Sequence, residues 1–74
     1  MNGRHRLQVW RSDKDKTQHQ IARLAGMSQT RYWQIENGEG AAAPSFGEKR
    51  AIASALGVAV SAIAWPERDQ QAAS

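Results

Sequence analysis

The sequence predicts an all-α fold, a compact domain of five short helices at about residues 4–14, 18–25, 29–37, 45–56 and 61–65. Three observations predict it. Helix start signals recur, as T-x-x-Q at Thr17 and Gln20 and as S-x-x-E at Ser45 and Glu48, where cap and third residue satisfy each other's free amides. Gly26, Gly38 and Gly57 stand where helices end in a left-handed residue. No stretch alternates apolar and polar residues as a half-buried strand does, and no segment repeats.

Taken in order, residues 1–3 are expected to form a flexible N-terminus, residues 4–65 one domain, and residues 66–74 a polar C-terminal tail that frays. In the first helix Leu7, Trp10 and Lys14 recur at helical spacing with Val9 on the flank, a narrow apolar face suited to lying across other helices. Thr17 caps the second helix, and Ile21, Ala22, Leu24 and Ala25 follow on its apolar side. Ser28 caps the third, with Met27 placed to staple onto Tyr32. Two caps, two stops and a very short connection force these helices to cross sharply, which is the layout of a helix-turn-helix. Residues 39–43 read as a loop before Pro44. Phe46, Ile52, Ala53 and Leu56 form the apolar side of the fourth helix, and Ser61 starts a short last helix with Ile63 and Trp65 inward. The expected core is Leu7, Trp10, Ile21, Leu24, Tyr32, Ile35, Phe46, Ile52, Leu56, Val60 and Ile63.

Composition narrows the function classes. A chain of 74 residues buries a small core but not a deep catalytic cleft beside it. Without cysteine there is no disulfide, thiolate metal site or thiol nucleophile. His5 and His19 are far apart and read as exposed helix residues, no His and carboxylate cluster has ligand spacing, and no glycine-rich phosphate loop is present. We therefore expect neither an enzyme nor a cofactor. No apolar run approaches the roughly 18 residues a membrane span needs, and the N-terminus lacks the apolar core of a secretion signal, so a cytoplasmic protein is the expectation. The net charge of +3 is uneven: residues 1–35 carry seven Lys or Arg against two acids, whereas residues 36–74 carry three against five. The basic half holds the helix-turn-helix, and such asymmetry attracts and orients a polyanion.

On the third helix Gln29, Thr30, Arg31, Trp33, Gln34 and Asn37 face outward, while Tyr32, Ile35 and Glu36 point inward. Amides near the start of an exposed helix suit the N6 and N7 edge of adenine in a major groove, although any surface helix can carry Gln, Thr and Arg.

Three signatures then mark a resemblance. They are Thr17-Gln18 with Ile21-Ala22, then Ile35-Glu36-Asn37-Gly38, then Ala55-Leu56-Gly57-Val58 before the final segment. In this order and spacing they resemble the helix-turn-helix family of phage repressor and Cro proteins, often called Xre-like. The resemblance implies a sequence-specific regulator of transcription on double-stranded DNA, usually a repressor, acting as a homodimer on a two-fold symmetric operator. By position it assigns base contacts to Gln29, Thr30 and Gln34, with Arg31 and Trp33 as further candidates. It assigns phosphate contacts to Gln18 and Asn37, with Arg11 and Arg23 as further candidates. Arg11 and Glu36 match a partly buried ion pair, so Arg11 is structural first and phosphate-facing second. Val60 and Trp65 are the expected dimer contacts.

The chain departs from the family pattern at several places. Lys16 and Lys49 stand where apolar residues are usual, and their stems can cover apolar surface with the amine in water. Tyr32 replaces a small aliphatic residue, the loop 39–43 is about two residues longer than common, and Trp33 replaces a small or polar residue. Trp33 suits a sugar edge or thymine methyl, the protein's own surface, or a protein partner. The competing class is a protein-interaction module, such as an antitoxin that binds a partner and represses its own operon. A controller protein of a restriction system and the DNA-binding half of a longer repressor stay open.

Overall fold

The computed structural model describes residues 3–40 and 43–66. Four α-helices run in order, α1 (Leu7–Asp13), α2 (Gln18–Ala25), α3 (Gln29–Asn37) and α4 (Phe46–Leu56), followed by a 3-10 turn at Val60–Ala62. Both capping boxes form. Thr17 Oγ1 accepts from the Gln20 amide at 3.1 Å while Gln20 Oε1 accepts from the Thr17 amide at 2.8 Å. Ser45 and Glu48 make the same exchange at 3.1 and 2.9 Å. Each reciprocal pair satisfies donors that the first turn of a helix leaves free.

Gly26 ends α2 with φ 73° and ψ 31°, a left-handed conformation in which a side chain is strained. Ser28 then starts α3, its Oγ accepting from the Arg31 amide at 3.0 Å. Only Gly26, Met27 and Ser28 separate the two helices, so α3 turns sharply out of α2. The α2 helix packs against both α3 and α4, and Met27 packs against the core at the corner.

The core consists of Leu7, Ile21, Ala22, Tyr32, Ile35, Ile52, Ala53, Leu56 and Ile63, with Trp10, Val60 and Trp65 half-buried around it. Every helix and the C-terminal segment contribute, so no element is dispensable. Burial of each large side chain contributes roughly 1.5–3 kcal/mol.

Two expected core residues lie outside. Leu24 is 61% exposed and Phe46 is 66% exposed. The inward side of α2 is set by Ile21, Ala22 and Ala25, and Leu24 is turned about 100° from its centre. Phe46 is the first residue of α4, whose buried residues Ile52, Ala53 and Leu56 all belong to its second half.

The chain ends also differ from expectation. The first helix starts at Leu7, not near residue 4, because Arg6 is extended (φ −65°, ψ 161°) and His5 pairs in parallel with Ile63. The His5 amide donates to Ala62 O at 3.2 Å, and the Ala64 amide donates to His5 O at 2.8 Å. His5 is thus a bridge residue rather than a helix residue, with its ring edge-on to Trp10 at 5.7 Å and its Nε2 buried. The expected fifth helix at 61–65 is a single 3-10 turn capped at Ala59, not Ser61. Its Ala62 carbonyl accepts from the His5 amide and from Trp10 Nε1 at 2.8 Å instead of from a helical amide. Ile63 is already extended (φ −105°, ψ 130°), and Pro66 has no amide to continue a helix.

Candidate nucleic-acid interface

The α3 helix divides into a buried edge and an outward face. Tyr32, Ile35 and Glu36 are buried, whereas Gln29, Thr30, Trp33 and Asn37 are exposed. Burying Glu36, only 3% exposed, requires that its charge be met. Four hydrogen bonds meet it. Arg11 donates from Nε at 2.7 Å and from Nη2 at 3.2 Å, Gln18 from Nε2 at 2.6 Å, and the Tyr32 hydroxyl at 2.9 Å. Burial pushes the Glu36 carboxyl up, but the hydrogen bonds from Arg11, Gln18 and Tyr32 outweigh it and hold it below the usual carboxylate range. Burial, then the bond to Glu36, pushes the Tyr32 phenol up. The hydrogen bond to Glu36 likewise raises Arg11 against its desolvation. The carboxylate is an ionised hub that joins α1, α2 and α3.

A second fastening holds the other end of α3. Arg31 donates to Glu48 of α4 from Nε at 2.9 Å and from Nη2 at 2.7 Å. These bonds, with the Ser45 amide, hold the Glu48 carboxyl down to about 2. The fork geometry aligns two donors with both carboxylate oxygens.

These fastenings redistribute the expected contact residues. Gln29, Thr30 and Trp33 stand together on the outward face. With Gln18 from the start of α2 they line a shallow cleft of about 280 Å³. Trp33 is 42% exposed. Arg31, expected as a further base contact, is instead turned to Glu48. Gln34 is half-buried and folded towards Gly40, where a Cβ would meet Gln34 Oε1 at 2.8 Å. Asn37 remains exposed and donates from Nδ2 to Trp33 O at 2.9 Å. Gln18 lies at the edge of the outward face, but its amide nitrogen is committed to Glu36. Arg11 also donates from Nη1 to Lys16 O at 3.1 Å. Arg23 is exposed on the outer side of α2, where it lines a separate cleft with Lys16, His19 and Leu24.

The C-terminal residues meet each other as well. Trp65 Nε1 donates to Val60 O at 3.2 Å, and Lys49 Nζ lies 5.6 Å from the Trp65 ring centre. Lys49 thus takes a place usual for an apolar residue by laying its amine on an indole face. A cleft of about 450 Å³ runs between Arg6, Asn37 and Trp65. The loop 39–43 is described only in part, residues 41–42 lying outside the described residues, as do residues 67–74 of the expected tail.

The sequence reading did not find the Gln18 and Tyr32 bonds to Glu36 or the Arg31–Glu48 pair. Tyr32 and Glu36 are four apart on one helix, a spacing that pairs side chains. Arg31 and Glu48 are joined across a loop, and no local pattern signals them.

A family model described as a helix-turn-helix domain matches residues 4–65 of the chain. The chain belongs to the helix-turn-helix domain family. Comparison with curated proteins finds no match. The family supports DNA binding and agrees with the Xre- and Cro-like resemblance of the sequence. The matched residues include α2, α3 and the three-residue turn between them. Among the described residues no group of His, Cys, Asp and Glu could hold a metal ion, and no helix is long and apolar enough to cross a membrane.

Proposed function

We propose that the protein is a sequence-specific regulator of transcription, a repressor that binds a two-fold symmetric operator as a homodimer and catalyses no reaction. The observation that carries this reading is the pairing of an exposed Gln29, Thr30 and Trp33 face with a buried hub at Glu36 on the same helix. A reading helix must be rigid, since base edges are recognised by hydrogen bonds with narrow geometry. The hub supplies that rigidity, and the excess of basic residues in the first half of the chain supplies the attraction for phosphates.

In this reading α3 lies in the major groove. Gln29 and Thr30 reach base edges, and Gln34 joins them by leaving its position against Gly40. Asn37 and Gln18 hold backbone phosphates at the two ends of the motif, Gln18 through the second hydrogen of its amide nitrogen or by exchanging Glu36 for phosphate. Arg23 adds a phosphate contact from the outer side of α2. One such helix covers few base pairs, which favours two copies on half-sites about 34 Å apart. Val60 and Trp65, adjacent and half-buried, are the contact proposed between copies. A cytoplasmic location goes with this role.

Protein interaction is the second reading, favoured by Leu24 and Phe46, two large apolar side chains left mostly in solvent. Selection of the purified protein on a random duplex pool, followed by binding of the recovered site across a salt series, separates the two. A two-fold symmetric motif with affinity falling steeply as salt rises supports the regulator. Weak binding without a motif, even at low salt, contradicts it.

A further inference from the structure

We infer that the cleft between Gln18, Gln29, Thr30 and Trp33 is a reader of the pyrimidine 5-methyl group, with Trp33 as its specificity-determining residue. The inference rests on the DNA-binding reading and specifies what that site recognises. Its starting point is the mixed chemistry of the cleft walls. Gln29 and Gln18 carry amides, the Gln18 nitrogen being bonded to Glu36, whereas Trp33 carries an indole and Thr30 a methyl group. Thr30 and Trp33 are three apart and Gln29 and Trp33 four apart, so the three share one helix face.

Trp33 keeps 42% of its surface in water, and covering that apolar surface on binding would be favourable. On the major-groove edge of a base pair the 5-methyl of thymine is the apolar group, and the other recognition groups there are hydrogen-bond donors and acceptors. Amide groups pair with adenine N6 and N7 through the same groove. A cleft with two amides and one apolar wall therefore matches an adenine read by Gln29 beside a methylated pyrimidine covered by Trp33 and Thr30. Position supports this. Trp33 lies one turn beyond Gln29, and its backbone is held by the Asn37 bond to its carbonyl. The groove offers the same methyl from thymine or from 5-methylcytosine, and the two are distinguished by the base pair that carries it.

The test uses the full chain and the duplex recovered by selection. Each thymine is replaced in turn by uracil, which pairs identically but lacks the methyl. At one position per half-site the loss is expected to be roughly fourfold, equivalent to about 0.8 kcal/mol for one buried carbon. Trp33→Ala should bind the thymine and uracil duplexes equally, while Trp33→Leu, which restores an apolar wall, should recover part of the difference. Exchanging that pair for C·G with and without a 5-methyl then assigns the source. A gain with the methyl extends the reader to 5-methylcytosine, and no gain confines it to thymine. Equal affinity for thymine and uracil at every position, with sequence preference intact, would overturn the methyl reader alone. Discrimination that survives in Trp33→Ala would overturn the role of Trp33. Absence of any sequence preference would overturn the regulator and the methyl reader together.

Discussion

Gln18, the first residue of α2, donates to Glu36, the penultimate residue of α3, at 2.6 Å. The bond spans the helix-turn-helix from its entry to its exit. It ties the two helices together in addition to the three-residue turn, and it places a candidate phosphate contact in direct touch with the buried hub. Removing the Gln18 amide with Gln18→Ala should therefore cost both stability, by about 1.5 kcal/mol for a bond to a charged group, and DNA affinity. Urea unfolding followed by circular dichroism reads the first effect. Unchanged stability with reduced affinity would mean that Gln18 serves the phosphate alone.

Arg11→Ala has a larger predicted effect. It removes both hydrogen bonds to Glu36 and the one to Lys16 O, and leaves the Glu36 charge buried with only Gln18 and Tyr32 to meet it. Breaking a buried pair from one side costs roughly 3–5 kcal/mol, a large part of the stability of a small domain. Thermal melting should show the variant largely unfolded near physiological temperature. A melting point within a few degrees of the parent would show that the ion pair is dispensable.

Stability should fall in acid, through both carboxylates. Glu36 and Glu48 have folded pKa values below the ordinary 4.5, Glu48 reaching about 2. A depressed carboxyl contributes stability that is fully present above its unfolded value and is lost as pH falls through its folded value. The loss should begin near pH 4.5 and, for Glu48, be complete near 2. Glu48→Gln should flatten the profile in that window, measured by urea midpoints at successive pH values. An identical profile would remove Arg31–Glu48 from the account of acid sensitivity.

Much of this fold was legible because its signals are local. Capping residues at Thr17, Ser28 and Ser45 and stops at Gly26, Gly38 and Gly57 act within one helical turn, and α2 and α3 begin and end where those residues place them. The chain ends were not legible. The extended form of residues 4–6 depends on pairing with Ile63, nearly sixty residues away, and the loss of a fifth helix depends on the same pairing. The exposure of Gln29, Thr30, Trp33 and Asn37 was legible from helical periodicity, whereas Arg31 and Gln34, expected on the same outward face, are half-buried. Its inner fastenings depend on which long side chains meet across helices, and periodicity does not carry that.

Leu24 and Phe46 show the same limit. Both look like core residues by spacing, yet both are mostly exposed. Leu24→Ser and Phe46→Ser should each change stability by no more than about 0.5 kcal/mol, as surface substitutions do. Ile63→Ala, at a fully buried position, should cost about 2–5 kcal/mol. Chemical denaturation of the three variants checks both statements at once, and a cost above 2 kcal/mol at Leu24 would place it in the core after all.

Sequence reading by the outward face of α3 is the core of the proposed function. It is tested most directly by repeating the duplex selection with Gln29→Ala and comparing its motif with that of the parent. The expected result is a motif of the same length and symmetry in which the preference relaxes at one or two positions per half-site, with the melting point unchanged. A motif unaltered at every position would contradict it, because the sequence would then be read by residues other than those on this face.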